Sequence, residues 1–195
     1  MLKIAIVGNI ASGKSTVEKM LTYKGFCVID TDKISHEILE SKSGIVKNVF
    51  KNFDISDEEG NISRKKLGKI VFNNQKYKTE LENIIYPDLK IKINNIFEQN
   101  CNEKFIFISI PLLFEVGWED MFDKVLFIEA NDDIRLLRLM QRNNLTANEA
   151  GIRMAAQNIQ SEKIKKSDFI IRNNDDIMFL QKQIDEIIIL LEDME

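Results

Sequence analysis

Apolar residues in this chain form two alternating kinds of run. Short continuous runs rich in β-branched and aromatic residues stand at LKIAIV (2–7), FCVID (26–30), KFIFISI (104–110), KVLFIEA (124–130) and DFII (168–171). Each is short for a helix and lacks the polar alternation of a half-exposed strand, so each predicts a strand buried on both faces. Between these runs the period lengthens to three and four. Val17, Met20 and Leu21 share one side of 14–23, and Ile34, Ile38 and Leu39 share one side of the segment after Asp32. Residues 176–193 read as an amphipathic C-terminal helix. Strands alternating with helices imply an α/β fold with a parallel five-stranded sheet flanked by helices.

The strands are unevenly spaced. The stretch between the second and third runs is far longer than one crossover helix needs. Its helical pattern predicts an inserted helical domain over 33–101. A second insertion, 131–166, contains RLLRLMQRNNLTANEAGIRMAAQ. It reads as two helices broken at Asn143–Asn144, with Thr146 capping the second and Glu149 completing a capping box. The core then comprises 1–32, 102–130 and 167–195.

Composition narrows the classes. With 195 residues and 44% hydrophobic content, the chain can bury one sizeable core with insertions. Its net charge is -4, and the short Lys163–Lys166 patch reads as a solvated helix face. Nucleic acid is therefore not an expected partner. Cys27 and Cys101, far apart in apolar settings, predict buried reduced thiols instead of a disulfide or metal framework. The single histidine, His36, argues against His-rich metal sites and His-based triads. No apolar run reaches the length of a membrane span and no signal segment precedes the first strand, so a cytoplasmic protein without a membrane partner is expected.

The chemistry begins at IVGNIASGKST, residues 6–16, where Gly8, Gly13, Lys14 and Ser15 complete G-x-x-x-x-G-K-S between a predicted strand and a predicted helix. Such a loop turns backbone N–H groups inward around the phosphates of a nucleoside triphosphate. Asn9, Ile10, Ala11, Ser12, Gly13, Lys14, Ser15 and Thr16 form the candidate ATP site. Lys14 would reach the β- and γ-phosphates, and Ser15, with waters, would ligate Mg²⁺. There is no guanine-reading N-K-x-D, which argues against a GTPase switch. The strand FIFIS, followed by IPLL, carries no Asp or Glu at its end, so acidic groups for the metal must come from elsewhere. Asp30 and Asp32 end the second strand, where open α/β sheets bind ligands. A carboxylate there could accept a proton from an attacking hydroxyl. Asp30 also fits a turn residue, and Asp32 a helix N-cap.

In order along the chain, the phosphate loop, VIDTD, PLLFE, RLLRLMQR, AAQ and SDFIIRN resemble the dephospho-coenzyme A kinases, over Ile4 to about Asn173. That resemblance implies a P-loop NTPase-type core, a helical CoA-binding domain over 33–101 and a lid over 131–166. It implies ATP-dependent phosphorylation of the ribose 3′-hydroxyl of dephospho-CoA, with Mg²⁺ as cofactor and ATP and dephospho-CoA as the partners. Asp32 matches the family's catalytic base. Arg138 and Arg142 match lid arginines, with Arg142, at the helix break, as the catalytic one. Arg64 matches an acceptor-binding arginine, and Asn173 the asparagine near the adenine. Where the family has His-Pro this chain has Tyr86-Pro87, so Tyr86 would act on the acceptor through its hydroxyl. His36, one helical turn after Asp32, reads as a surface residue or as a second acceptor contact. In PLLFE, Leu113 belongs to an apolar wall for the acceptor, and Glu115 fits either a structural or an acceptor role. A monomer or weak oligomer is expected. A nucleoside, nucleotide or shikimate kinase, or a non-catalytic ATP-binding module, are the competing readings.

Overall fold

The computed structural model describes residues 1–157 and 159–194. The chain divides into two compact units, Met1–Ile29 with Asn102–Glu195, and Asp30–Cys101. The first unit is built on a sheet of β1 (Leu2–Gly8), β2 (Cys27–Asp30), β3 (Phe105–Ser109), β4 (Lys124–Glu129) and β5 (Phe169–Arg172), all at the places the apolar runs predict. The order is β2-β3-β1-β4-β5, and β1 pairs in parallel with both β3 and β4, as β4 does with β5. All the residues of β3 are buried. This is why its sequence shows no polar alternation: both faces are covered.

The pleat sends alternate residues to opposite sides. Ile4, Ile6, Phe105, Phe107, Leu126 and Ile128 pack with Val17 and Leu21 of α1 (Lys14–Tyr23) and with Leu180, Ile184 and Leu191 of α10 (Ile177–Glu192). Ala5, Val7, Val125 and Phe127 face the other way, against Ile110 and Leu113, the latter at the start of α6 (Leu113–Val116). Among the described residues, three helices occupy the second insertion, α7 (Asp132–Asn143), α8 (Ala147–Ala155) and α9 (Gln160–Lys165), where two were expected. The break falls at Asn144, which is left-handed at φ 50°, and Thr146 and Glu149 form the anticipated capping box. The extra helix is α9, too short for its period to stand out.

The Asp30–Cys101 unit contains α2 (Thr31–Ser41), α3 (Ser43–Val49), α4 (Arg64–Asn73) and α5 (Gln75–Gln99). Ile34, Ile38, Val46, Phe50, Leu67, Leu89, Ile93 and Phe97 are among its buried apolar residues. Side chains of Asp30, Ser63 and Asn74 cap α2, α4 and α5. Asp30 thus takes the cap that was the competing reading for Asp32, and Asp32 stands in the first helical turn. Cys101 follows α5 and is exposed, contrary to the expectation of a buried thiol, whereas Cys27 is half-buried. Burial, and then the nearby Glu103 carboxylate, push the Cys27 thiol above its ordinary pKa. Neither cysteine is in a disulfide. Among the described residues, no helix is long and apolar enough to cross a membrane.

Lys163 corrects the reading of a solvated lysine patch. Its side chain is only 3% exposed and its Nζ lies 2.6 Å from Glu115 Oε1. The pair ties α9 to α6 and gives Glu115 of PLLFE a structural partner. Removing one member of a buried pair leaves the other charge uncompensated. Lys163→Met should therefore lower unfolding free energy by about 3 kcal/mol, and Lys163→Met with Glu115→Leu should regain most of it. Urea unfolding midpoints of the two variants would check this.

Candidate active site

The phosphate loop is a strained segment braced from three directions. Ala11 is left-handed at φ 63° and Gly13 at φ 93°. A non-glycine residue there costs about 1–2 kcal/mol, so Ala11 is held in place by its surroundings. At Gly13 a Cβ would come within 1.9 Å of Asn173 Nδ2. A Cβ at Gly8 would meet Ser12 Oγ at 2.6 Å and the Ile128 carbonyl at 3.0 Å. The two glycines of the motif therefore meet a packing demand, beyond their backbone freedom.

The first brace is Asn173, buried just past β5. Its Nδ2 donates to the Ser12 carbonyl at 2.8 Å, and its backbone N–H to Glu129 at 2.8 Å. The second is Arg135 on α7, which is 3% exposed. Its Nε donates to the Ile10 carbonyl at 3.0 Å, and its Nη1 lies 2.7 Å from Asp132. Burial pulls the Arg135 pKa below its ordinary value, against the opposing pull of Asp132. The third is Gln157, whose Oε1 accepts from Ile10 N–H at 2.7 Å. Carbonyl and amide of one loop residue are thus both taken by side chains from the second insertion.

α1 starts at Lys14 with Gly13 as its N-cap and no side-chain cap. Its first N–H groups lack intrahelical acceptors, and its dipole favours an anion at this end. Ser15 is exposed on the first turn, and Thr16 donates its N–H back to the Gly13 carbonyl at 2.9 Å. Lys14 Nζ lies 2.8 Å from Glu18 Oε1 and also bonds Ser109 Oγ. Arg138 sits at the same loop: Nη2 donates to the Asn173 carbonyl at 3.0 Å, and Nη1 would be 3.8 Å from a Cβ on Gly13. Arg138 Nη1 is buried without a protein acceptor, a donor available to an anion. Arg142 is exposed and its Nε donates to Asn143 Oδ1 at 3.0 Å. Of Arg138 and Arg142, Arg138 is therefore the one that sits at the loop here.

In the Asp30–Cys101 unit, Asp32 donates its backbone N–H to Asp30 Oδ1 at 3.0 Å in the first turn of α2. His36, one turn later, meets Arg64, whose Nη1 lies 2.8 Å from Nδ1 and 2.9 Å from Nε2. Arginine only donates, so the imidazole nitrogen facing it accepts. Two residues expected to contact the acceptor are thus brought together. Tyr86 donates its hydroxyl to Glu82 Oε1 at 3.1 Å. Leu113 departs from expectation: it is fully buried among the residues beneath the sheet, so its side chain packs the core and forms no exposed wall. Arg135, Gln157, Glu18 and Ser109 were not singled out from sequence as site residues. The spacing of Lys14 and Glu18 could have flagged one pair, because residues four apart share a helix face; the others meet only through tertiary structure.

Comparison with known proteins agrees with this loop and sheet. Residues 2–178 match the family model for dephospho-CoA kinase. A dephospho-CoA kinase of Fusobacterium nucleatum is 38% identical over 184 residues, covering 93% of this chain and 94% of that protein. Among solved structures, a dephospho-CoA kinase from Campylobacter jejuni superposes with a TM-score of 0.72 at 34% identity, covering 95% of this chain and 94% of that one. TT1252 from Thermus thermophilus does so with a TM-score of 0.85 at 28% identity, covering 97% and 96%. A braced phosphate loop on a parallel sheet, matched over nearly the whole length, leaves one assignment: the chain belongs to the dephospho-CoA kinase family, and its reaction is the ATP-dependent phosphorylation of dephospho-CoA to coenzyme A.

Proposed function

We propose that the transfer of the ATP γ-phosphoryl group to the ribose 3′-hydroxyl is run by Lys14, Arg138, Arg142 and Asp32, with Mg²⁺ held at Ser15. The observation that carries this reading is the phosphate loop itself. It presents an uncapped helix N-terminus, a lysine and the unpaired Nη1 of Arg138 at one place. Such groups stabilise charge that builds on a transferring phosphoryl group. Little covalent chemistry is asked of the protein, so positioning dominates.

Asp32 is proposed as the group that orients the acceptor hydroxyl and takes its proton. In support, it stands two residues beyond the end of β2, at the strand edge where open α/β sheets bind ligands. Arg64 and His36, mutually bonded, and Tyr86 are proposed to contact the acceptor within the helical unit, which takes the CoA-binding role. Helices α7 and α8, jointed at Asn144, are proposed as the lid that brings Arg142 to the reacting phosphate and excludes water.

Ser15 fits a magnesium site. Its hydroxyl is an exposed oxygen donor on the first turn of α1, and Mg²⁺ needs few protein ligands when phosphates and waters supply the rest. When bound, the metal would neutralise charge on the β- and γ-phosphates. The same proposal has the enzyme working in the cytoplasm, as a monomer or weak oligomer, without nucleic acid or membrane. The net charge of -4 and two cysteines that form no disulfide support it.

Asp32→Asn should reduce kcat for dephospho-CoA by about a hundredfold or more, with ATP affinity near wild type. Steady-state kinetics on a variant with an unchanged melting temperature decides it, and near-normal turnover would refute the base assignment. The two arginines should separate. Arg138→Ala should weaken ATP binding about tenfold, because it already sits at the loop. Arg142→Ala should leave ATP affinity nearly unchanged and lower kcat by about tenfold or more. Calorimetric titration with ATP alongside turnover would show the split.

A further inference from the structure

In loop-type NTPases the metal leans on the loop hydroxyl and on an aspartate at the end of a neighbouring strand. Here β3 ends in Ser109. The structure brings a carboxylate to that hydroxyl from α1 instead. Glu18 Oε1 lies 2.5 Å from Ser109 Oγ and 2.8 Å from Lys14 Nζ, and Lys14 also donates to Ser109. The Ser109 hydroxyl can accept from the ammonium while donating to the carboxylate, so the three groups form a closed set. Lys14 and Glu18 side chains are only 17% and 14% exposed. Water screens this pair much less than it would one on an open surface. Lys14, Ser15 and Glu18 also stand four and three residues apart, so all three lie along one face of α1.

We infer that Glu18, held by Ser109, is a positioning carboxylate of the phosphate site that makes the enzyme select metal-loaded nucleotide. Its charge neutralises Lys14 in the empty loop. A metal-free triphosphate has to draw Lys14 away and leaves Glu18 as a partly buried anion facing further negative charge. A triphosphate carrying a divalent cation brings compensating positive charge to the face that Ser15 and Glu18 share. The carboxylate thus opposes the first ligand and favours the second. It occupies the role that the end of β3 leaves vacant in sequence.

This inference rests on the proposed Mg²⁺ site at Ser15, and calorimetric titration with ATP in Mg²⁺ and in excess EDTA separates the two. Wild type should bind ATP much more tightly with Mg²⁺; no metal effect in wild type would defeat both the metal site and this inference. Glu18→Gln should bind metal-free ATP about tenfold more tightly and lose about tenfold of the gain from Mg²⁺. Glu18→Gln with Ser109→Asp, which returns a carboxylate through the strand end, should restore that gain. Mn²⁺ bound to the ATP complex, followed by electron paramagnetic resonance, should weaken and recover in parallel. A purely structural Glu18 would lower the melting temperature and change both affinities by the same factor. A Mg²⁺ gain in Glu18→Gln equal to wild type would overturn the inference while leaving the metal site standing. Failure of Ser109→Asp to restore the gain would overturn it too. Ser109→Ala, which keeps both charges and only unties the carboxylate, covers the case of a poorly folded Glu18→Gln. It should lose about threefold of the gain, and an unchanged gain there overturns the inference as well.

Discussion

Much of this enzyme's structure answers to one constraint: a short backbone segment must keep left-handed residues at Ala11 and Gly13 with its amides turned toward a ligand. That conformation is unfavourable in isolation, so the rest of the unit over-determines it. β1, buried between β3 and β4, fixes where the loop begins, and α1 fixes where it ends. The connections leaving β1 and β4 run toward opposite edges of the sheet, which opens the crevice where ligands of such sheets bind. Arg135, Gln157 and Asn173 then enter from α7, the end of α8 and the end of β5. Each uses a polar side-chain group to satisfy a loop carbonyl or amide that would otherwise be costly to leave unpaired.

What could be read in the sequence follows from the range of the interaction. Strands, loop and α1 are written in local period and in glycine spacing, and all stand where they were expected. The capping box at Thr146 and Glu149 was equally legible, because both partners lie within one turn. Arg135 was not, since its pairing with Asp132 is local but the bond to the Ile10 carbonyl that places it at the loop is not. Lys163 misled for the same reason: a lysine-rich stretch looks solvated until Glu115, far away in sequence, is brought against it. Asp30 could not be told from Asp32 as the cap, because the strand ends at Asp30 as expected but the helix begins at the very next residue, and a helix start is uncertain by a residue or two in sequence.

The helical unit shows the same division between local and tertiary information. Its helical character follows from pattern, but the caps at Ser63 and Asn74 and the meeting of Arg64 with His36 were not read from it. Tyr86 precedes Pro87 inside α5, and its hydroxyl is engaged by Glu82 one turn earlier. The tyrosine is thus accommodated by a partner on its own helix. Replacing a histidine by a tyrosine exchanges a ring nitrogen for a phenolic oxygen further from the backbone, and the Glu82 bond fixes where that oxygen points.

Gln157 gives the loop a link whose consequence is thermodynamic. Because its Oε1 accepts from Ile10 N–H, the end of α8 and the phosphate loop share one hydrogen bond. Undocking that end of α8 would strand an amide that the loop conformation holds in place. Nucleotide occupancy and the docking of α8 are therefore linked equilibria, and linkage is reciprocal. Whatever factor ATP contributes to holding α8 down, a docked α8 contributes to holding ATP. A change at the far side of α8 that alters its docking would shift nucleotide affinity without touching a single phosphate contact.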